Sequence, residues 1–148
     1  MIEIVAFGKI KNQNLRILYQ DYLKRISRFS KVSSIELKEA KDKNPMKIQA
    51  SEAESASRYI EKTSNYVVCM DPKGKELTSD QLADLLKTHP DSSFLIGGPY
   101  GWDTKVRELS HFAFSLSKLT FSHDLSRLIL AEQLYRALTI INNHPYHK

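Results

Sequence analysis

The chain contains a single cysteine, Cys69, among its 148 residues. One thiol cannot form an intrachain disulfide, and it excludes zinc sites built from several cysteines as well as CxxC redox chemistry. Cys69 lies inside an apolar segment, so we predict a buried, inert thiol rather than a nucleophile. This cysteine usage is typical of a cytoplasmic protein.

Long hydrophobic runs are also missing. The longest, Tyr66–Met70, is far shorter than the roughly 20 residues that span a bilayer. The first residues carry neither a basic cluster nor a long apolar stretch, so we expect no signal peptide. Hydrophobic residues make up 41% of the chain and charged residues 26%, which excludes disordered and fibrous classes. The length predicts one domain over residues 1–148.

Glycine is scarce, and three of the five glycines lie within Gly97–Gly101, directly after a predicted strand. Glycines there allow positive φ angles and close approach of the backbone to a ligand, although a tight turn without a ligand would use them too. Their spacing matches neither GxGxxG nor GxxxxGK[ST], which disfavours an ordinary dinucleotide or ATP site. There is no GxSxG motif of the hydrolase type. No His, Cys, Asp or Glu group has metal-ligand spacing, so we predict no metal.

The net charge of +5 is concentrated near the beginning of the chain. Residues 1–31 hold seven basic and two acidic side chains, and in the remaining residues the basic and acidic side chains are equal in number. A basic segment of this kind favours a polyanionic partner, usually nucleic acid. The alternative is a solvated helix face without a partner.

Hydrophobic periodicity predicts five strands that alternate with five helices. The predicted strands are Ile2–Phe7, Val32–Leu37, Tyr66–Met70, Ser93–Ile96 and Phe112–Leu116. The predicted helices are Asn12–Arg28, Pro45 to about Lys62, Thr78 to just before Pro90, Asp103–Leu109 and Asp124–Asn142. Asp71–Gly74 is predicted to be a turn. This alternation indicates an α/β fold with a mostly parallel sheet flanked by helices, whose ligands bind outside the carboxyl ends of the strands.

The last predicted helix is apolar around most of its circumference. A helix on the face of a sheet normally keeps a polar side toward water. We therefore favour a homodimer in which a second chain covers this helix. The alternative is a helix that its own fold buries.

Four segments of the sequence together resemble one family. They are Phe94-Leu95-Ile96-Gly97-Gly98-Pro99-Tyr100-Gly101, Phe114–His123, Arg127 with Ala131-Glu132-Gln133-Leu134-Tyr135-Arg136-Ala137, and Asn143-His144-Pro145-Tyr146-His147-Lys148. The chain resembles the RlmH (YbeA) family of SPOUT-class RNA methyltransferases over its whole length. Two positions depart from the family pattern, because Tyr100 replaces an acidic or small polar residue and Ser122 replaces a proline.

The resemblance implies a C-terminal trefoil knot and a homodimer with the cofactor site near the subunit interface. It also implies transfer of a methyl group from S-adenosylmethionine to N3 of a pseudouridine. The substrate would be helix 69 of bacterial 23S rRNA in the large subunit of assembled ribosomes. The matching motifs assign cofactor binding to Met70, Gly97, Leu116, Ser117, Lys118, Leu119, Thr120 and Phe121.

Such a reaction needs no nucleophile on the enzyme, because the cofactor brings the electrophile and the protein orients the reactants. N3 of a pseudouridine is a poor nucleophile until its proton leaves, so a base or a positive environment must assist. The candidates are His144, His147, Arg127 and Arg136, and Tyr146 offers a plane on which a base can stack.

Two other functions remain open at this point. A non-catalytic, ribosome-associated RNA-binding module would keep the basic N-terminal helix but would not need the glycine turn or the histidines near residue 148. A small nucleotide hydrolase would need a phosphate loop or an acidic metal cluster.

Overall fold

Five strands alternate with five helices in the computed structural model, which describes residues 1–148. The strands are β1 (Ile2–Phe7), β2 (Val32–Leu37), β3 (Tyr66–Glu76), β4 (Ser92–Ile96) and β5 (Phe112–Ser115). The helices are α1 (Gln13–Ile26), α2 (Pro45–Ile60), α3 (Ser79–Thr88), α4 (Thr104–Leu109) and α5 (His123–Ile141). The number and order of the elements confirm the prediction, and only β3 differs from it by more than a few residues.

The strands form one sheet in the order β2-β1-β4-β3-β5, and every neighbouring pair is parallel. The central strand β4 is buried along its whole length. Both faces of an all-parallel sheet must be covered, which explains why β1, β4 and the first part of β3 are mostly apolar and buried. The carboxyl ends of all strands lie along one edge, where a ligand is expected.

Helices cover both faces, as predicted. Tyr19 of α1, Leu82 of α3 and Leu130 of α5 belong to the larger apolar core on one face. The smaller core on the other face contains Ala56 of α2 and Val106 of α4. Helix α5 therefore lies on the better-covered face, packed against both α1 and α3.

Side-chain caps fix where the helices begin. Thr78 and Gln81 form a capping box at the start of α3, and Pro45 follows the cap Asn44 at the start of α2. Ser122 caps α5, since its side chain accepts a hydrogen bond from the Leu125 amide at 3.4 Å. Serine is a favourable cap, so this departure from the family pattern gives α5 a defined start.

The predicted turn at Asp71–Gly74 requires a correction. The chain stays extended and β3 continues to Glu76, but Met70 and Lys75 both align with Phe114 of β5. Residues 71–74 therefore bulge out of the sheet and then rejoin it. Turn-forming residue types identified the break in the ladder, but they could not show that pairing resumes on the same neighbouring strand.

The apolar circumference of the last predicted helix is partly covered within the chain itself. No residue of α5 is fully exposed, because α1 and α3 of the same chain flank it. Leu125, Leu128 and Ile129 stay partly exposed, so cover by a second chain stays a prediction. None of the helices, α5 included, is long and apolar enough to span a membrane.

The packing of α5 can be tested by truncating one core side chain. Leu130 is fully buried, so Leu130→Ala should lower the free energy of unfolding by about 2–5 kcal/mol through lost apolar contact and the resulting cavity. The exposed Lys87 on α3 is the control, and Lys87→Ala should change stability by less than about 0.5 kcal/mol. Urea unfolding followed by circular dichroism measures both, and equal effects would contradict this packing.

Candidate active site

A glycine-rich turn, Gly97–Gly101, follows the central strand β4 at the carboxyl edge of the sheet. Gly101 has a φ of +72°, which side chains rarely adopt. Its amide donates to the Gly98 carbonyl at 3.1 Å and closes the turn. A Cβ at Gly97 would lie 3.1 Å from the indole ring of Trp102. The turn therefore needs glycine both for its conformation and for its contact with Trp102.

A cleft of about 180 Å³ lies beside this turn, above the carboxyl ends of β3, β4 and β5. Its walls come from the bulge within β3, the glycine turn and the loop between β5 and α5. They include Met70, Asp71, Pro72, Ile96, Gly97, Gly98, Pro99, Phe114, Leu116, Ser117, Leu119, Thr120, Phe121, His123 and Ser126. The cleft thus combines apolar side chains with exposed backbone.

Seven of the eight residues that the resemblance assigned to the cofactor line this single cleft. They are Met70, Gly97, Leu116, Ser117, Leu119, Thr120 and Phe121. The eighth, Lys118, is exposed and lies outside the lining. Residues from three separate segments of the sequence therefore meet at one place.

His123 connects the first residue of α5 to two strands. Its Nδ1 lies 3.0 Å from the Gly97 carbonyl oxygen, and its Nε2 lies 3.1 Å from the Phe7 carbonyl oxygen. Both carbonyls are acceptors, so both hydrogen bonds form together when each ring nitrogen carries a hydrogen. The sequence alone does not reveal this role of His123, because the two carbonyls are remote along the chain.

Arg127, a candidate for catalysis, lies in the protein interior with 1% of its surface exposed. Its guanidinium donates to the Gly8 carbonyl at 2.8 Å and lies over the Tyr19 ring. This arrangement ties α5 to β1 and α1. A group so enclosed does not reach an incoming base, and we leave Arg127 out of the proposed catalytic group.

Three of the four remaining catalytic candidates gather around Glu132, a residue that sequence reasoning did not single out. The Glu132 carboxylate accepts hydrogen bonds from Arg136 at 2.6 Å and from the Tyr146 hydroxyl at 2.9 Å. His147 Nδ1 lies 3.4 Å from an Arg136 nitrogen. His144 lies outside these contacts and packs edge-on against Phe29. We call Glu132, Arg136, Tyr146 and His147 the Glu132 cluster.

The Glu132 cluster does not line the cleft within the same chain. Glu132 follows His123 by nine residues, which places it about 14 Å along the helix axis. Burial and hydrogen bonds to Tyr22 and Glu132 raise the pKa of Tyr146 well above its usual value. Tyr146 is therefore a neutral phenol whose ring packs on Tyr135 at a centroid distance of 4.7 Å.

Cys69 has the properties that the sequence predicted. It is fully buried in β3 without a disulfide partner, and burial raises the pKa of its thiol. A thiol that resists ionisation is a poor nucleophile, so Cys69 packs the core beneath the cleft.

Comparison with known proteins agrees with this architecture. A family described as "Predicted SPOUT methyltransferase" matches residues 1–147. A Methanococcus maripaludis protein, described as a candidate ribosomal RNA large subunit methyltransferase H, is 42% identical, with 99% of each chain covered. The ribosomal RNA large subunit methyltransferase H of Alkaliphilus oremlandii is 35% identical, also over 99% of each chain.

A solved structure supports the fold alone. The structure of a probable methylase family protein from Haemophilus influenzae aligns with a TM-score of 0.56 at 9% identity, and the alignment covers 99% of this chain and 70% of that one. The match over residues 1–147, together with the full-length relatives, establishes that this chain belongs to the SPOUT methyltransferase family.

Proposed function

We propose that residues 1–148 form one methyltransferase domain that uses S-adenosylmethionine to methylate N3 of a pseudouridine in helix 69 of bacterial 23S rRNA, on assembled ribosomes in the cytoplasm. The observation that carries this proposal is the cleft that gathers seven of the eight expected cofactor residues. The relatives are named ribosomal RNA large subunit methyltransferase H, which supports rRNA as the substrate.

The lining of the cleft suits S-adenosylmethionine. Met70, Ile96 and Leu116 offer apolar surface for an adenine ring, and the glycine turn offers backbone groups at close approach. Asp71 is a buried carboxylate at the same cleft, paired with Arg107. When bound, the cofactor supplies an electrophilic methyl group on a sulfonium.

The protein's own task is then to orient the acceptor base and to favour loss of its N3 proton. Arg136 and His147 offer positive charge or proton acceptance, and Tyr146 offers a stacking plane. Glu132 positions Arg136 and Tyr146 by accepting a hydrogen bond from each. Because Tyr146 is a neutral phenol, it stacks or donates rather than acting as the base.

We propose a homodimer in which the Glu132 cluster and His144 of one protomer complete the cleft of the other. Within one chain the cluster lies away from the cleft, whereas the resemblance places the last residues at the mouth of the cofactor site. The cleft volume of about 180 Å³ is below the roughly 300–1,000 Å³ of typical ligand sites, which favours a further wall from a partner. Ile17 and Leu18 on α1 are 55% and 49% exposed and offer apolar surface for this contact.

The proposal includes the trefoil knot that the resemblance implies. Strand β5 lies at the edge of the sheet, yet α5 begins beside the ends of the inner strands β1 and β4, where His123 contacts Phe7 and Gly97. The connecting loop therefore returns from the edge to the middle of the sheet, close to the glycine turn. Such a return is the kind of path that a knotted C-terminal segment requires.

The surface of α1 supports contact with RNA. Next to Tyr135, a surface cavity is lined by Lys24, Arg25 and Arg28. The charge of Arg25 is partly neutralised because its Nε donates to Asp21 at 2.8 Å. Lys24 and Arg28 have no ion-pair partner and are the cations better placed to bind phosphate. Such contacts to phosphate strengthen binding without reading sequence.

Cofactor binding at the cleft is tested with Gly97→Val. The added side chain would press on Trp102 and fill the turn, so affinity for S-adenosylmethionine should fall at least about tenfold, the loss that corresponds to 1.4 kcal/mol. Isothermal titration calorimetry measures the affinity, and circular dichroism checks that the fold is retained. Wild-type affinity in a folded variant would contradict the placement, and absence of binding to the wild-type protein would contradict the cofactor assignment.

The shared site is tested with mixed dimers. Gly97→Val should disable the cleft, and truncation after Pro145 should remove Tyr146, His147 and Lys148; each variant alone should methylate ribosomes poorly. Mixing and exchanging subunits should restore part of the activity, because one heterodimer site then combines an intact cleft with intact last residues.

Two results would contradict the shared site. No recovery in confirmed heterodimers would place the last residues in the site of their own protomer. A wild-type mass of 17.0 kDa by sedimentation at micromolar concentration, instead of twice that value, would exclude the homodimer itself.

A further inference from the structure

A second cavity lies at the carboxyl edge, on the other side of Gly98, Pro99 and His123, which line both cavities. Its volume is about 490 Å³, within the roughly 300–1,000 Å³ of ligand sites. Only Phe7 and Leu15 are hydrophobic among its lining residues, and the charged ones are Lys9, Lys11, Glu39, Glu52 and Asp124. We call this cavity the polar hollow. Its lining favours a polar ligand.

Glu52 of α2 is the unusual residue of the polar hollow. It is 3% exposed, and its Oε2 has no hydrogen-bond partner. The carboxylate lies directly against Gly98, where an added Cβ would be 2.3 Å from Oε2. A buried acceptor without a partner is costly to the fold, so a ligand that donates a hydrogen bond would remove this cost.

Of the other charged groups of the hollow, all but Lys9 already have a partner. Asp124 accepts from the backbone amides of Lys11 and Asn12, and both ring nitrogens of His123 face carbonyls. Glu39 lies against Gly8 and is 3.9 Å from the Lys11 ammonium. Lys9 has no ion-pair partner, so the hollow offers one carboxylate oxygen without a partner, Glu52 Oε2, and the cationic side chains of Lys9 and Lys11.

These groups select among nucleotides. A carboxylate needs N–H donors, and guanine presents its N1–H and 2-amino groups side by side. The N3–H of uracil lies between two carbonyl acceptors, and the amino groups of adenine and cytosine each adjoin an acceptor nitrogen. A phosphate group would form ion pairs with Lys9 and Lys11.

We propose that the polar hollow binds a guanine nucleotide of the RNA substrate, with the N1–H and 2-amino edge of the base on Glu52 and the phosphate at Lys9 and Lys11. This inference rests on the proposed function, because it assumes an RNA substrate beside the cofactor cleft. The shared wall of Gly98, Pro99 and His123 would place this nucleotide next to the cofactor. The hollow would then orient the RNA strand through a base other than the methylated one.

The cost of the unpaired carboxylate should appear in stability. Burial raises the pKa of Glu52, the nearby charge of Glu39 raises it further, and the Gly98 amide opposes both. Lys9, Lys11, His123 and Asp124 also face this space. Because the folded-state pKa is raised, Glu52 favours folding below its unfolded value of about 4.3 and loses that contribution as the pH rises through its folded value.

Glu52→Gln should therefore be more thermally stable than the wild-type protein at pH 8, and the difference should vanish near pH 4. Differential scanning calorimetry across this range measures it. The control is Glu54→Gln, on the same helix but exposed and paired with Arg58, which should gain no stability at pH 8. A gain for Glu52→Gln that is independent of pH would contradict a buried, ionising carboxylate.

Nucleotide binding tests the proposal directly. The full-length protein is titrated with guanosine 5′-monophosphate, and binding is followed by NMR shifts and calorimetry. We expect a higher affinity for this nucleotide than for uridine 5′-monophosphate. Glu52→Gln should weaken it about tenfold or more, as expected for a charge-assisted hydrogen bond, whereas Glu54→Gln should not. Lys9→Ala should weaken the binding of guanosine 5′-monophosphate but not that of guanosine, which lacks the phosphate. The affinity for S-adenosylmethionine should stay within about twofold of the wild-type value in all variants.

Each alternative outcome overturns the inference. The inference is wrong if the protein does not bind the guanine nucleotide or binds the uridine nucleotide equally well. It is also wrong if folded Glu52→Gln binds the guanine nucleotide as tightly as the wild-type protein does. If Glu52→Gln abolishes guanosine 5′-monophosphate binding but methylates subsaturating ribosomes at the wild-type rate, the hollow serves a free nucleotide and not the RNA. Failure of the proposed function is distinguishable, because the wild-type protein would then not bind S-adenosylmethionine.

Discussion

The structure depends on where the last helix begins. His123 holds the first residue of α5 between the carboxyl ends of β1 and β4 through two carbonyl oxygens. Arg127, one turn later, ties the same helix to the Gly8 carbonyl. These contacts stretch the loop of residues 116–122 from the sheet edge at β5 to the sheet centre, where it forms one wall of the cleft. They also divide the carboxyl edge into the cleft and the polar hollow.

The glycine turn is the second element that both cavities share, and its first two glycines face different neighbours. Gly97 approaches Trp102, which packs against Phe7, while Gly98 leaves room for the Glu52 carboxylate. The turn is therefore fixed from two sides by large or charged side chains. A backbone held in this way can present its amides and carbonyls to a ligand without rearrangement, which lowers the entropic cost of binding.

The sequence predicted most of the fold because its patterns are local. Periodicity identified all ten elements, and the capping box of Thr78 and Gln81 fixed the start of α3. The residues expected to bind the cofactor were assigned by family motifs, and the fold brings seven of the eight together at the cleft. Glu52, Glu132 and His123 escaped notice as site residues because their partners lie far away in sequence and no short motif records them. The buried state of Arg127 likewise follows from helix packing, which residue type alone cannot show.

The sheet order has a consequence for how this chain reaches its folded state. Ile2 of β1 lies beside Ser92 of β4, and β4 separates β1 from β3. On a ribosome that is translating this protein, the first strand must therefore wait about ninety residues for one of its two neighbours. Non-local pairing of this kind slows folding, since the entropy of closing long loops is lost before the contacts form. Until then β1 has at most β2 beside it, and its apolar residues are open to chaperones.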